Sequence, residues 1–201
     1  MRLEITMEYS AGMVSQVFAF VETKKTAELM TSGMSKEDIR DKVEKENLYQ
    51  LRNAKRLRNT FNYVYKRLAS LPEGAVELLV KADNENAKLL TLIGIMNTDK
   101  LFFEFVYEVY REKIILGEKN IENRDINTFF DDKAAQSEVV AGWSESGITK
   151  LKQCYLKNLT DAGLLESTKT REIKYALVNY RVEELFDRSG MGAYISAIKG
   201  V

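Results

Sequence analysis

Apolar residues recur at helical spacing along most of this chain of 201 residues. Phe18, Val21, Ala27 and Met30 predict a first helix over 17–30, closed by Ser32-Gly33. Ser35 stands where an N-cap belongs for a second helix over 36–46, and Asp38 at its third position makes a near capping box. Only Ile39 and Val43 on that helix can face a core. Asn53 opens a longer helix that reaches Ser70, where Leu71-Pro72 stops it. Helices over 73–82 and 85–96 follow, the second strongly apolar. Thr98 and Asp99 then cap a helix to Leu116, with Leu101, Phe102, Phe105, Val109 and Tyr110 among apolar residues on nearly every side. Such a helix packs on several faces, so it is expected to be the central post of the core.

Gly117 ends that post, and 118–124 is the most linker-like stretch. It predicts an N-terminal helical domain over 1–120 and a C-terminal domain over 121–201. Short helices are expected over 126–135 and 138–143. Ser144 caps a further helix that ends at Ala162-Gly163, with the glycine as a left-handed stop. Beyond it, 164–168 leads into the polar tip Lys169-Thr170-Arg171. Ile173, Tyr175 and Leu177 then alternate with polar or small residues, which is strand spacing. Helix, turn, helix and two-stranded hairpin is the order of a winged helix-turn-helix. A helix pair over 182–187 and 191–198 closes the chain. The expected fold is mainly α: a multi-helix bundle followed by a winged helix-turn-helix-like region with one short β-hairpin.

Composition narrows the chemistry. The chain has no histidine, which removes Ser-His-Asp and Cys-His catalysis and every His-ligated metal site. Cys154 is its only cysteine, so no internal disulfide can form. Asp131-Asp132 with Glu138 reads as solvated acid, and Gly190-Met191-Gly192 lacks the third glycine of a dinucleotide fingerprint. No enzyme, cofactor or metal is expected. The longest nearly apolar stretch, 89–96, is far short of the roughly 18–20 residues of a spanning helix. Residues 1–6 lack the basic and apolar regions of a signal peptide, so the protein is expected to be cytoplasmic, with no membrane partner.

Thirty basic and thirty acidic residues cancel, yet the charge is not evenly spread. From Asn47 to Pro72 there is no carboxylate, while Arg52, Lys55, Arg56, Arg58, Lys66 and Arg67 supply six cations. Projected at about 100° per residue, most of them fall opposite an apolar arc of Ala54, Leu57, Phe61, Val64, Tyr65 and Leu68. Clustered cations suit phosphate binding because they release condensed counterions together. The competing reading is a solvated face balanced by Glu37, Asp38, Asp41 or Glu44. A second face lies on the helix after Ser144. Ile148, Leu151, Tyr155, Leu159 and Ala162 form its buried stripe, and Ser146, Thr149, Lys150, Gln153 and Lys157 the opposite one. That polar stripe holds no carboxylate and uses residue types that bond phosphates and base edges. In a winged helix, Lys169 and Arg171 at the hairpin tip would reach a neighbouring backbone. Winged helices also dock proteins, so the fold alone does not choose.

The order of several segments resembles a known family. Tyr9-Ser10-Ala11-Gly12 is followed by Glu22 with Ala27-Glu28-Leu29-Met30, then by Ser32-Gly33-Met34-Ser35. After these come Glu46-Asn47-Leu48-Tyr49-Gln50, Ala54-Lys55-Arg56-Leu57, the helix from Phe102 to Lys113, and Trp143-Ser144-Glu145-Ser146 leading into Ala162-Gly163-Leu164-Leu165. Together they resemble BrxA, a small component of bacterial BREX phage-defence systems, over about 9–186. The resemblance implies a non-enzymatic helical protein that binds double-stranded DNA and works beside larger members of the system. The alternatives are an adaptor that docks those BREX subunits, and a helical RNA-binding protein.

Overall fold

The computed structural model describes residues 8–201, so the reading of residues 1–6 lies outside the described residues. A 3-10 turn (Gly12–Ser15) precedes α1 (Phe20–Thr31), α2 (Lys36–Lys45), α3 (Ala54–Ala69), α4 (Ala75–Lys81) and α5 (Asn84–Met96). The post is α6 (Lys100–Phe105), a π-helical turn (Val106–Tyr110) and α7 (Arg111–Ile115) in unbroken succession. Then come α8 (Asn123–Gln136), α9 (Glu138–Ala141), α10 (Glu145–Asp161), α11 (Tyr180–Arg188) and α12 (Gly192–Lys199).

Local chemistry sets the helix starts. Side-chain oxygens of Ser35, Asn53, Asp83, Asp99 and Ser144 accept backbone N–H groups of the first turns of α2, α3, α5, α6 and α10. Each cap satisfies a donor that has no partner inside its helix, which contributes about 1 kcal/mol. The first helix begins later than its apolar pattern suggests. Ala19 takes the left-handed conformation at φ 56°, so Val17 and Phe18 precede α1 instead of joining it. Phe18 is buried and Val17 exposed.

α1 packs on α3 and α4, α5 on α3 and α4, and α10 on the 3-10 turn. α5 crosses α3 closely because residue 94 is glycine: a Cβ there would meet the Arg67 carbonyl oxygen at 3.1 Å. One hydrophobic cluster takes in Met13, Phe102, Phe130, Tyr155 and Ile198, and so draws on both sides of residue 120. Tyr155 of α10 lies with ring centroids 4.9 Å from Phe102, 5.3 Å from Phe105 and 5.7 Å from Phe130. A smaller cluster of Ile39, Val43, Tyr49, Leu57 and Phe61 holds α2 against α3.

The expected β-hairpin, and with it the wing, is not present. Among the described residues there is no strand, only two isolated antiparallel bridges, Leu165 with Ile173 and Asn120 with Glu172. The pairing of Leu165 with Ile173 stops at one bridge because the Leu164 N–H, which would continue it toward Lys174, goes to the Leu159 carbonyl at 2.9 Å. The Ile173 N–H points to the other side, to the Lys119 carbonyl. The Lys174 carbonyl is taken by the Tyr110 hydroxyl at 2.8 Å. The alternation fails at the same place: Ile173 is buried, whereas Tyr175 and Leu177 are 66% and 81% exposed.

Candidate nucleic-acid interface

The buried face of α3 is Leu57, Thr60, Phe61, Val64, Arg67 and Leu68. Arg52, Lys55, Arg56, Arg58 and Lys66 are exposed, so five of the six cations share the solvent side of this segment. Arg67 does not. It is 3% exposed, and it stands ten positions after Leu57 and three after Val64, at the edge of the apolar arc. Its Nη1 donates to the Val17 carbonyl and its Nη2 to Gln16 Oε1, each at 2.8 Å. The guanidinium also lies 4.5 Å from the Tyr63 ring centroid. Burial lowers its pKa to about 10, against the opposing pull of Tyr63 and Asp99, so it stays charged near neutrality.

The acids of α2 do little to neutralise the α3 face. Glu44 reaches Arg58 at 3.8 Å. Otherwise the α2 acids pair within their own helix: Arg40 with Glu44, Lys42 with Glu46, and Lys45 with Asp41. Arg52, Lys55, Arg56 and Lys66 have no carboxylate within 4.0 Å among the described residues. Lys55, Arg56, Asn53, Asn59 and Tyr63 line a shallow groove of about 470 Å³, bordered across from them by Ser15 and Val17.

Val17 also borders the larger groove, about 750 Å³, on its other side. There α10 contributes Thr149, Lys152, Gln153 and Lys157, and the tip contributes Thr168 and Arg171. The two faces read from sequence therefore meet across one short segment before α1. Lys150 and Lys169 are exposed but lie off the wall of this groove. Lys157 pairs with Asp161 at 2.6 Å. Arg171 is half-buried, holds a left-handed φ of 52°, and reaches the Ile121 carbonyl at 3.5 Å. Lys152, which bonds Asn127 at 2.8 Å, and the walls at Val14, Asn123 and Asn127 were not singled out by helical projection. They come from three separate segments, and only the fold gathers them.

A family model for BrxA matches residues 7–190. The chain belongs to the BrxA family, a component of BREX phage-defence systems. It is 35% identical to the BREX protein BrxA of Bacillus cereus (strain H3081.97) over 193 residues, 96% of either chain. A BREX protein BrxA of Escherichia coli O9:H4 (strain HS) is 19% identical over 179 residues, 89% of this chain and 84% of that one. The BrxA fold seen here is shared by a crystal structure of an uncharacterized protein from Magnetospirillum magneticum. That structure is 17% identical, with a TM-score of 0.79 over 97% of this chain and all of the other. No helix among the described residues is long and apolar enough to cross a membrane.

Proposed function

We propose that this BrxA-family chain is a non-enzymatic, double-stranded DNA-binding accessory protein of a BREX system. The supporting observation is the juxtaposition across Val17: the exposed cations of α3 on one side, and Thr149, Gln153, Lys157 and Arg171 on the other. The cations hold backbone phosphates, while amide and hydroxyl groups of α10 approach base edges. A balanced net charge does not oppose this, because binding follows the local field of the patch. The test is fluorescence anisotropy on labelled duplex DNA at several salt concentrations. About six phosphate contacts give log K against log salt a slope near −5. Flat titrations at low salt overturn the reading, and competition with duplex RNA separates DNA from RNA.

A second reading is favoured by one observation. Tyr175 and Leu177 stand exposed on a run that carries no turn or bend, and no hydrogen bond pairs the backbone of 175–178 among the described residues. Such an edge suits an adaptor that docks another BREX subunit. Co-purification with a system member at salt high enough to dissolve phosphate contacts supports it, and loss of that pairing in a Tyr175→Ser, Leu177→Ser double variant assigns the surface.

A further inference from the structure

We infer that the 750 Å³ groove between the N-terminal segment and α10 is a pocket for one nucleotide whose base stands outside a helical stack. Its volume lies within the range of built small-molecule sites. Its walls combine three chemistries that a nucleotide needs together. Val14, Val17, Ile126 and Leu156 offer apolar surface to a base face. Asn123, Asn127, Gln153 and Thr149 offer the amide and hydroxyl groups that read base edges. Lys152, Lys157 and Arg171 set three cations against the single carboxylate of Asp161, a balance that favours phosphate.

An apolar peptide would use the first of these but leave the other two idle. Unused bonding capacity points the same way. Asn158 is 3% exposed, donates to the Cys154 carbonyl, and leaves its Oδ1 without a donor among the described residues. Arg171 leaves its Nε without an acceptor. Both residues line this groove, so an acceptor and a donor without partners lie buried within its wall, available to a ligand that reaches them. Arg171 is also held in the left-handed region, a conformation that costs an L-residue energy and persists where the surroundings impose it.

The nucleotide has two possible sources, a base everted from DNA or a free mononucleotide. Only the first rests on the DNA-binding reading above. The test uses the full chain with a duplex carrying 2-aminopurine opposite an abasic position, followed by emission and by anisotropy of an end label. Eversion into the groove gives a several-fold rise in emission as the probe leaves the stack. The rise is lost in Arg171→Gly, which suits the left-handed position, and reduced in Gln153→Ala, which is exposed and leaves the core intact. Anisotropy that reports binding while emission stays flat overturns eversion and leaves DNA binding standing. In the second arm dAMP is titrated by calorimetry. Binding that Arg171→Gly abolishes assigns the groove to free nucleotide even if duplex binding fails. Silence in both arms, or binding indifferent to both variants, overturns the proposal.

Discussion

Arg67 Nη1 donates to the Val17 carbonyl at 2.8 Å, tying the end of α3 to the segment that separates the two grooves. The sequence groups Arg67 with the phosphate-binding cations, but its guanidinium builds the wall between them. Arg67→Ala removes two charge-assisted bonds and leaves Gln16 and the Val17 carbonyl unpaired. We expect a loss of about 2–4 kcal/mol in urea unfolding. In the fraction that folds, duplex affinity falls while the salt slope holds, since no phosphate contact is lost.

Charge reversal on the exposed side of α3 has the opposite signature. Lys55→Glu, Arg56→Glu and Lys66→Glu combined keep the melting temperature within a few degrees. Three lost phosphate contacts flatten the slope of log K against log salt by about 3. A folded triple variant that binds duplex DNA unchanged at fixed salt would remove α3 from the interface.

Asp99 caps α6 through Phe102 N–H and is the carboxyl most displaced by its surroundings. Burial raises its pKa from 3.8 to about 6, opposed by that N–H and by Arg67. The native state therefore holds a proton that the unfolded chain has released between those values. Stability falls as pH rises from about 4 through 6, and the cost is fully present above 6. Asp99→Asn keeps the cap and removes the charge. We expect a gain of up to about 2–3 kcal/mol at pH 7 and none near pH 3.5. Equal effects at both pH values would contradict this.

Lys133 is buried between Glu104 and Glu108, each at 2.7 Å, and Glu104 also accepts from the Tyr9 hydroxyl at 2.8 Å. Removing the cation leaves Glu104 beside a phenol with only the more distant Lys100 ammonium, at 3.9 Å, to balance it. Lys133→Met costs about 3 kcal/mol by denaturant unfolding. Adding Glu104→Gln restores part of the loss, a coupling that a double-mutant cycle measures.

The helices were legible because their signals are local. Ser35, Asn53, Asp99 and Ser144 cap within three residues of themselves, and Gly163 at φ 84° ends α10 as its position suggested. Arg67 was misplaced because charge was read as exposure, although its spacing from Val64 sets it beside the buried stripe. The hairpin does not form because the Leu164 N–H and the Lys174 carbonyl, the pair that would extend it, are claimed by the Leu159 carbonyl that closes α10 and by Tyr110, a distant residue that no period of two reveals. The post looked apolar all round for a related reason. A π-helical turn widens its step at Val106–Tyr110, so the residues on either side do not follow one 100° projection. Of the groove, α10 was visible in advance. The wall at Val14 and Val17 was not, since nothing in a short segment marks its partners.

That wall also sets an order of events. Val17 is held by a residue fifty positions downstream, and Met13 accepts a bond from Asn158, 145 positions away. Closing so long a loop is slow, because its entropy is lost before its contacts form. A chain leaving the ribosome can complete α3 and its cations early, yet the groove has only one side until α10 emerges. A product truncated before Glu145 would carry the phosphate-binding face without its opposite wall. Such a fragment would attract nucleic acid with nothing to seat it.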